Sequence, residues 1–85
     1  MMERAEVEKK VIEAYHDQLG INLEDITLEK NIVDDLAADD LDEIECIMAL
    51  EEAFGCAITE EEAQGVKTIG DAVELIMKKQ AAKNS

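Results

Sequence analysis

Apolar residues fall four apart at Val7, Val11, Tyr15 and Leu19, with Ile12 widening the stripe. That period keeps one face of a helix apolar, so the spacing predicts a first helix from about Glu3 to Leu19. Gly20 follows it, the residue type that best tolerates the left-handed conformation at a helix end. The next segment, Ile21 to Ala38, breaks the period yet holds Ile21, Leu23, Ile26, Leu28, Ile32, Val33 and Leu36. So apolar a connection is expected to lie pinned across the helices. A second helix is predicted to start at Asp39 or Asp40 and to end near Phe54, with Gly55 as its stop. Asp39 suits the N-cap, and Asp42 stands three residues on. Thr59 with Glu62 reads as another capping box, opening a short third helix through about Gln64. Thr68 with Asp71 opens the last helix, on which Ile69, Ala72, Val73 and Ile76 make one face. Lys78, Lys79 and Lys83 suit the negative end of its dipole, and the tail to Ser85 is expected to fray. The expected fold is all-α, a small four-helix bundle of three longer helices and one short one.

The second helix divides into two sides when stepped at about 100° per residue. Cys46, Ile47, Leu50, Ala53 and Phe54 share one broad side, expected to face the core. Leu41, Glu45, Met48 and Glu52 point the other way. Scattered exposed apolar residues are ordinary on a protein surface. The sharper reading is a docking stripe, in which Leu41 and Met48 supply burial while the carboxylates steer a basic partner. Methionine suits a surface that must fit several partners.

Charge widens that picture. The formal net charge is −14, from 22 acidic and 8 basic residues, and twelve Asp or Glu lie between Lys30 and Lys67 with no Lys or Arg among them. Nucleic acid is excluded as a partner because binding it requires cations against phosphates. An anionic membrane surface is repelled in the same way, and no apolar run approaches the length of a membrane span. The start, MMERAEVEKK, is charged rather than apolar and does not read as a signal peptide. The 85 residues are expected to form a single domain, 1–85, with one small core. Two cysteines without CxxC spacing make no disulfide framework, which points to a reducing, cytoplasmic setting. A monomer is expected.

Candidate chemistry is sparse. Asp34, Asp35, Asp39 and Asp40 lie close together, but the EF-hand pattern fails because its alternating oxygen positions would fall on Leu36 and Ala38. No dedicated metal centre is expected. Repulsion within the cluster still predicts that magnesium or calcium raises the melting temperature more than monovalent salt at matched ionic strength. Cys46 falls on the core side and reads as a small buried hydrophobe, Cys56 as more accessible, and His16 as a surface residue of the first helix. No Ser-His-Asp set, Gly-rich phosphate loop or zinc spacing exists. The chain is not expected to be an enzyme.

The run Asp35-Leu36-Ala37-Ala38-Asp39-Asp40-Leu41-Asp42, followed by Glu45, Met48-Ala49-Leu50-Glu51-Glu52 and Phe54, resembles the acyl carrier protein family. The similarity extends from Gln18-Leu19-Gly20, through Ile58-Thr59, to Thr68-Ile69-Gly70-Asp71-Ala72. In that family an Asp-Ser-Leu motif opens the second helix, and its serine carries 4′-phosphopantetheine, whose thiol holds acyl chains as thioesters. The resemblance implies a bundle whose interior can open around an acyl chain. It also implies docking through Asp39, Leu41, Glu45, Met48 and Glu52. The implied partners are a phosphopantetheinyl transferase and fatty-acid-synthesis enzymes with basic patches. The cofactor-bearing position, however, holds Asp40, and Ala37 stands where the family usually has glycine.

A carboxylate cannot form the stable phosphodiester that a serine hydroxyl forms; attack on coenzyme A would give a mixed anhydride that water hydrolyses. No cofactor is therefore expected on this chain. Three readings of Asp40 stay open on the sequence. It is an engineered substitution holding a carrier in its unmodified form; or it marks a natural paralogue that keeps the docking surface for an interaction or regulatory role; or its negative charge imitates that of the phosphodiester.

Overall fold

The computed structural model describes residues 2–83. Four α-helices follow one another: α1 (Arg4–Leu19), α2 (Asp40–Phe54), α3 (Glu60–Gln64) and α4 (Ile69–Lys83). The ends lie where local chemistry puts them. Gly20 (φ 70°) donates its N–H to the His16 carbonyl and Gly55 (φ 62°) to that of Glu51, closing α1 and α2 with left-handed residues. Asp39 and Asp42 form the capping box of α2, and Thr59 and Glu62 that of α3. At α4, Asp71 N–H donates to Thr68 Oγ1 and Thr68 N–H to Asp71 Oδ2, both at 3.1 Å. The side chain of Lys83 and the tail to Ser85 lie outside the described residues.

α1 packs against both α2 and α4. It contributes Val7, Val11 and Tyr15, all buried, together with Ala14, which the four-residue spacing did not single out. Cys46, Leu50 and Phe54 come from α2, and Ile69, Ala72, Val73 and Ile76 from α4. Each large aliphatic side chain withdrawn from water contributes roughly 1.5–3 kcal/mol to set against chain entropy. Ile12 and Leu19 pack against this core only in part.

The connection from α1 to α2 is pinned as its composition suggests, through buried Ile26, Ile32, Leu36 and Ala38. Leu23 and Val33 depart from that expectation and stand about half exposed. Leu23 opens a short 3-10 turn, Leu23–Asp25, which buries none of its residues. Backbone bonds also tie the connection to the segment before α4. Ile32 N–H donates to the Lys67 carbonyl (2.9 Å), Ile69 N–H to that of Lys30 (3.1 Å) and Gly70 N–H to that of Leu28 (2.8 Å). Asn31 and Thr68 form an isolated antiparallel bridge. A Cβ on Gly70 would lie 3.1 Å from the Leu28 carbonyl oxygen, so the close approach favours glycine there.

His16 is not the plain surface residue expected. It is half-buried, and its Nδ1 lies 2.6 Å from the Ile21 carbonyl oxygen. Because a carbonyl only accepts, this bond requires the proton on Nδ1. It ties the end of α1 to the start of the connection. Ala53 is likewise exposed rather than in the core, one residue before the buried Phe54 that ends α2.

Candidate functional site

Asp40 is the first residue of α2 and is exposed. The backbone leading to it is held by a hub at Asn31. Asn31 Oδ1 accepts the N–H groups of Val33 (3.0 Å) and Asp34 (2.8 Å), and Asn31 N–H donates to Asp35 Oδ2 (2.8 Å). Its carbonyl accepts Asp35 and Leu36 N–H, and Ala38 N–H donates to the Ile32 carbonyl. With Leu36 and Ala38 buried on either side, Ala37 must turn outward, and it does so at φ 58°. It is the one non-glycine residue with positive φ among those described. The left-handed region costs an L-residue about 1–2 kcal/mol, which is the physical reason for a glycine at this position. Asp39 then starts the helix: its Oδ1 accepts Asp42 N–H at 2.8 Å, and its own N–H donates to Asp42 Oδ2 at 3.1 Å. The result is a hydrogen-bonded turn at whose end the side chain of Asp40 stands exposed to solvent.

All four outward residues named from the helical wheel, Leu41, Glu45, Met48 and Glu52, are exposed. Leu41 is 61% exposed and Met48 58%, high for side chains of their size. The wheel missed Ile44, also 58% exposed. It sits between Met48 and half-buried Ile47 around the helix, so the apolar surface continues from the outward stripe toward α3. There it forms one wall of a groove of about 760 Å³, whose other wall includes Ile58, Ala63 and Val66. Asp40 and Lys67 also line the groove. A small recess of about 20 Å³ adjoins it, lined by Tyr15 and Ile32 and sharing Glu43, Ile47, Ala63 and Val66 with the groove.

The remaining candidates are quiet. Burial pushes the Cys46 thiol up to about 12, and the nearby carboxylates of Asp42, Glu45 and Glu43 add to the effect; the side chain is fully enclosed. It packs as a small hydrophobe. Tyr15 is raised beyond the usual phenol range, chiefly by burial. Cys56 is partly exposed. The clustered aspartates do not gather into a cation site: Asp35 and Asp39 accept backbone N–H groups instead. Among the described residues no group of three or more His, Cys, Asp or Glu could hold a metal ion. The expected advantage of divalent over monovalent cations therefore has no preformed site among the described residues to rest on.

The family model described as "Phosphopantetheine attachment site" matches residues 9–76. The acyl carrier protein of Syntrophobacter fumaroxidans is 43% identical over 81 residues, covering 95% of this chain and all of that one. That of Clostridium perfringens is 49% identical over 67 residues, covering 79% of this chain and 88% of its own. A solved structure of the acyl carrier protein from Enterococcus faecalis superposes with a TM-score of 0.75 at 36% identity, over 91% of this chain and 98% of that one. The turn, the acidic helix it opens and the apolar groove beside it all lie within the matched residues. The chain belongs to the acyl carrier protein family.

The group implied by that family does not fit the residues present. At the head of α2 the side chain offered is a carboxylate, and the only serine of the chain is Ser85. Thr59 Oγ1, on the far wall of the groove, accepts Glu62 N–H in the cap of α3.

Proposed function

We propose that this chain is an acyl carrier protein of fatty acid or related lipid synthesis, held in the unmodified form by Asp40. The observation that carries this reading is the turn from Asn31 to Asp42. It is built in full, and it presents a carboxylate where the family's phosphopantetheine serine would stand. Asp40 costs the fold nothing at that position, since a negative side chain in the first turn of a helix is favourable by about 0.3–1 kcal/mol. The chain performs no catalysis of its own. Its partners are a phosphopantetheinyl transferase and synthesis enzymes that present basic patches. Leu41, Met48 and Ile44 give them apolar contact, while Asp39, Glu45 and Glu52 steer the encounter. No helix among the described residues is long and apolar enough to cross a membrane.

A second reading is favoured by the completeness of that docking face beside an unmodifiable residue: an interaction protein that occupies or regulates lipid-synthesis enzymes. Both readings need the face, and one experiment tests it. Binding to a phosphopantetheinyl transferase is measured at low and high salt for the chain and for the double variant Glu45→Lys with Glu52→Lys. Affinity should fall at least tenfold in the variant, with a shallower salt dependence. Unchanged affinity and salt dependence would remove the docking face from the account.

A further inference from the structure

None of α3's five residues is fully buried. The helix is slung between two buried anchors, Ile58 before it and Val66 after it, with Ala63 its partial contact to the core. Three polar ties hold it. Glu51 Oε2 accepts the Ile58 N–H at 2.8 Å, fixing the turn that enters the segment. Thr59 and Glu62 close the capping box, with Thr59 N–H donating to Glu62 Oε1 at 2.9 Å and Glu62 N–H to Thr59 Oγ1 at 3.1 Å. The same Oε1 lies 2.6 Å from Lys79 Nζ of α4. That ion pair ties the body of α3 to another helix. It is better sheltered than an ordinary surface pair, with Lys79 23% and Glu62 33% exposed. One oxygen thus serves both the cap and the cross-link.

The location matters because α3 forms one wall of the groove beside Asp40, and Ala63 and Val66 also line the small recess that adjoins it. We propose that the Lys79–Glu62 pair is a latch that holds α3 down over this groove, and that a basic partner opens it by taking Glu62 away from Lys79. Glu60 and Glu61 are exposed beside Glu62 and give an incoming cation its approach. Opening of this kind couples docking on the acidic face to access to the apolar interior. The partner-driven half rests on the docking face proposed above; the latch itself does not.

Hydrogen exchange tests the two halves separately on the intact chain. The reporters are the amides of Ala63, Gly65 and Val66, which bond within or just after α3. Lys79→Met keeps the aliphatic stem and removes the charge; Glu62→Gln keeps a capping-box residue and removes the carboxylate. Both variants should exchange at least fivefold faster at those amides, with the amides of α1 and α4 unchanged. Unchanged rates at α3 would overturn the latch. So would a parallel rise in every helix, which would mean general destabilisation. Pentalysine at low salt supplies the partner's chemistry. It should speed exchange at the same three amides of the unaltered chain, with little further effect in Lys79→Met. Pentalysine without effect on the unaltered chain would overturn opening by a basic partner while leaving the latch standing.

Discussion

Asp39 and Asp42 each accept the other's backbone N–H, at 2.8 and 3.1 Å, so the pair fixes the first turn of α2 and with it the outlook of Asp40. Asp39→Ala removes the accepting oxygen at the N-cap. Such losses cost about 1 kcal/mol. For a chain this small, that lowers the melting temperature by roughly 4–8 °C. Asp39→Ser restores most of it, since serine caps nearly as well. Thermal unfolding followed by circular dichroism would show both, and an unchanged midpoint in the alanine variant would mean that the box does not hold the turn.

Ala37 gives a prediction of opposite sign. Its φ of 58° strains any residue with a Cβ. Ala37→Gly removes about 1–2 kcal/mol of left-handed strain and sets against it about 0.5–1 kcal/mol of added unfolded-chain entropy. The net expectation is a small stabilisation, on the order of 0.5 kcal/mol. Ala37→Val, β-branched at positive φ, should destabilise by more than about 1 kcal/mol. Chemical denaturation of both variants decides it: a valine variant as stable as the parent would show that the turn relaxes out of the left-handed region.

Acid should act on α3 through Glu62. The Lys79 ammonium bonded to it, with help from the Thr59 N–H, holds its carboxyl down at about 2, against an ordinary value of 4.5. Because the folded-state value is the lower one, its contribution is complete above the ordinary value and is lost as pH falls from there toward about 2. An NMR titration should find Glu62 protonating among the last of the carboxylates. In Lys79→Met its midpoint should move up. A midpoint that stays put would mean that the ion pair does not set it.

Salt should stabilise the chain by screening. A net charge of −14 on 85 residues opposes the compact state, and the twelve acidic residues between Lys30 and Lys67 concentrate that repulsion. The melting temperature should rise with sodium chloride and rise equally with magnesium chloride at matched ionic strength, because among the described residues no carboxylate cluster is arranged to coordinate an ion. A clearly larger effect of magnesium would reveal a site that the aspartates form only when the ion is present.

What could be read from the sequence was local. The capping boxes at Asp39, Thr59 and Thr68, the glycine stops and the outward placement of Leu41 and Met48 each depend on residues within a turn of one another. The misses came from how the elements pack and from groups that only the fold brings together. Ile44 sits at the border of the helical wheel, which does not say whether a neighbouring element covers it; it is 58% exposed. Ala53 lies on the core side of the same wheel yet faces solvent at the last turn of α2. The bridge from Asn31 to Thr68, the bond from His16 to Ile21 and the ion pair from Glu62 to Lys79 join groups whose approach no periodicity encodes. The anomaly at Asp40 came from resemblance rather than from pattern: an aspartate at a helix start is unremarkable until a family expects serine there.

The central claim is that the fold and face are a carrier's and that one residue silences it. Intact mass after incubation with coenzyme A and a phosphopantetheinyl transferase tests this directly, on the unaltered chain and on Asp40→Ser. The account predicts that only the serine variant gains one phosphopantetheine. A gain on the unaltered chain, or none on either, would contradict it.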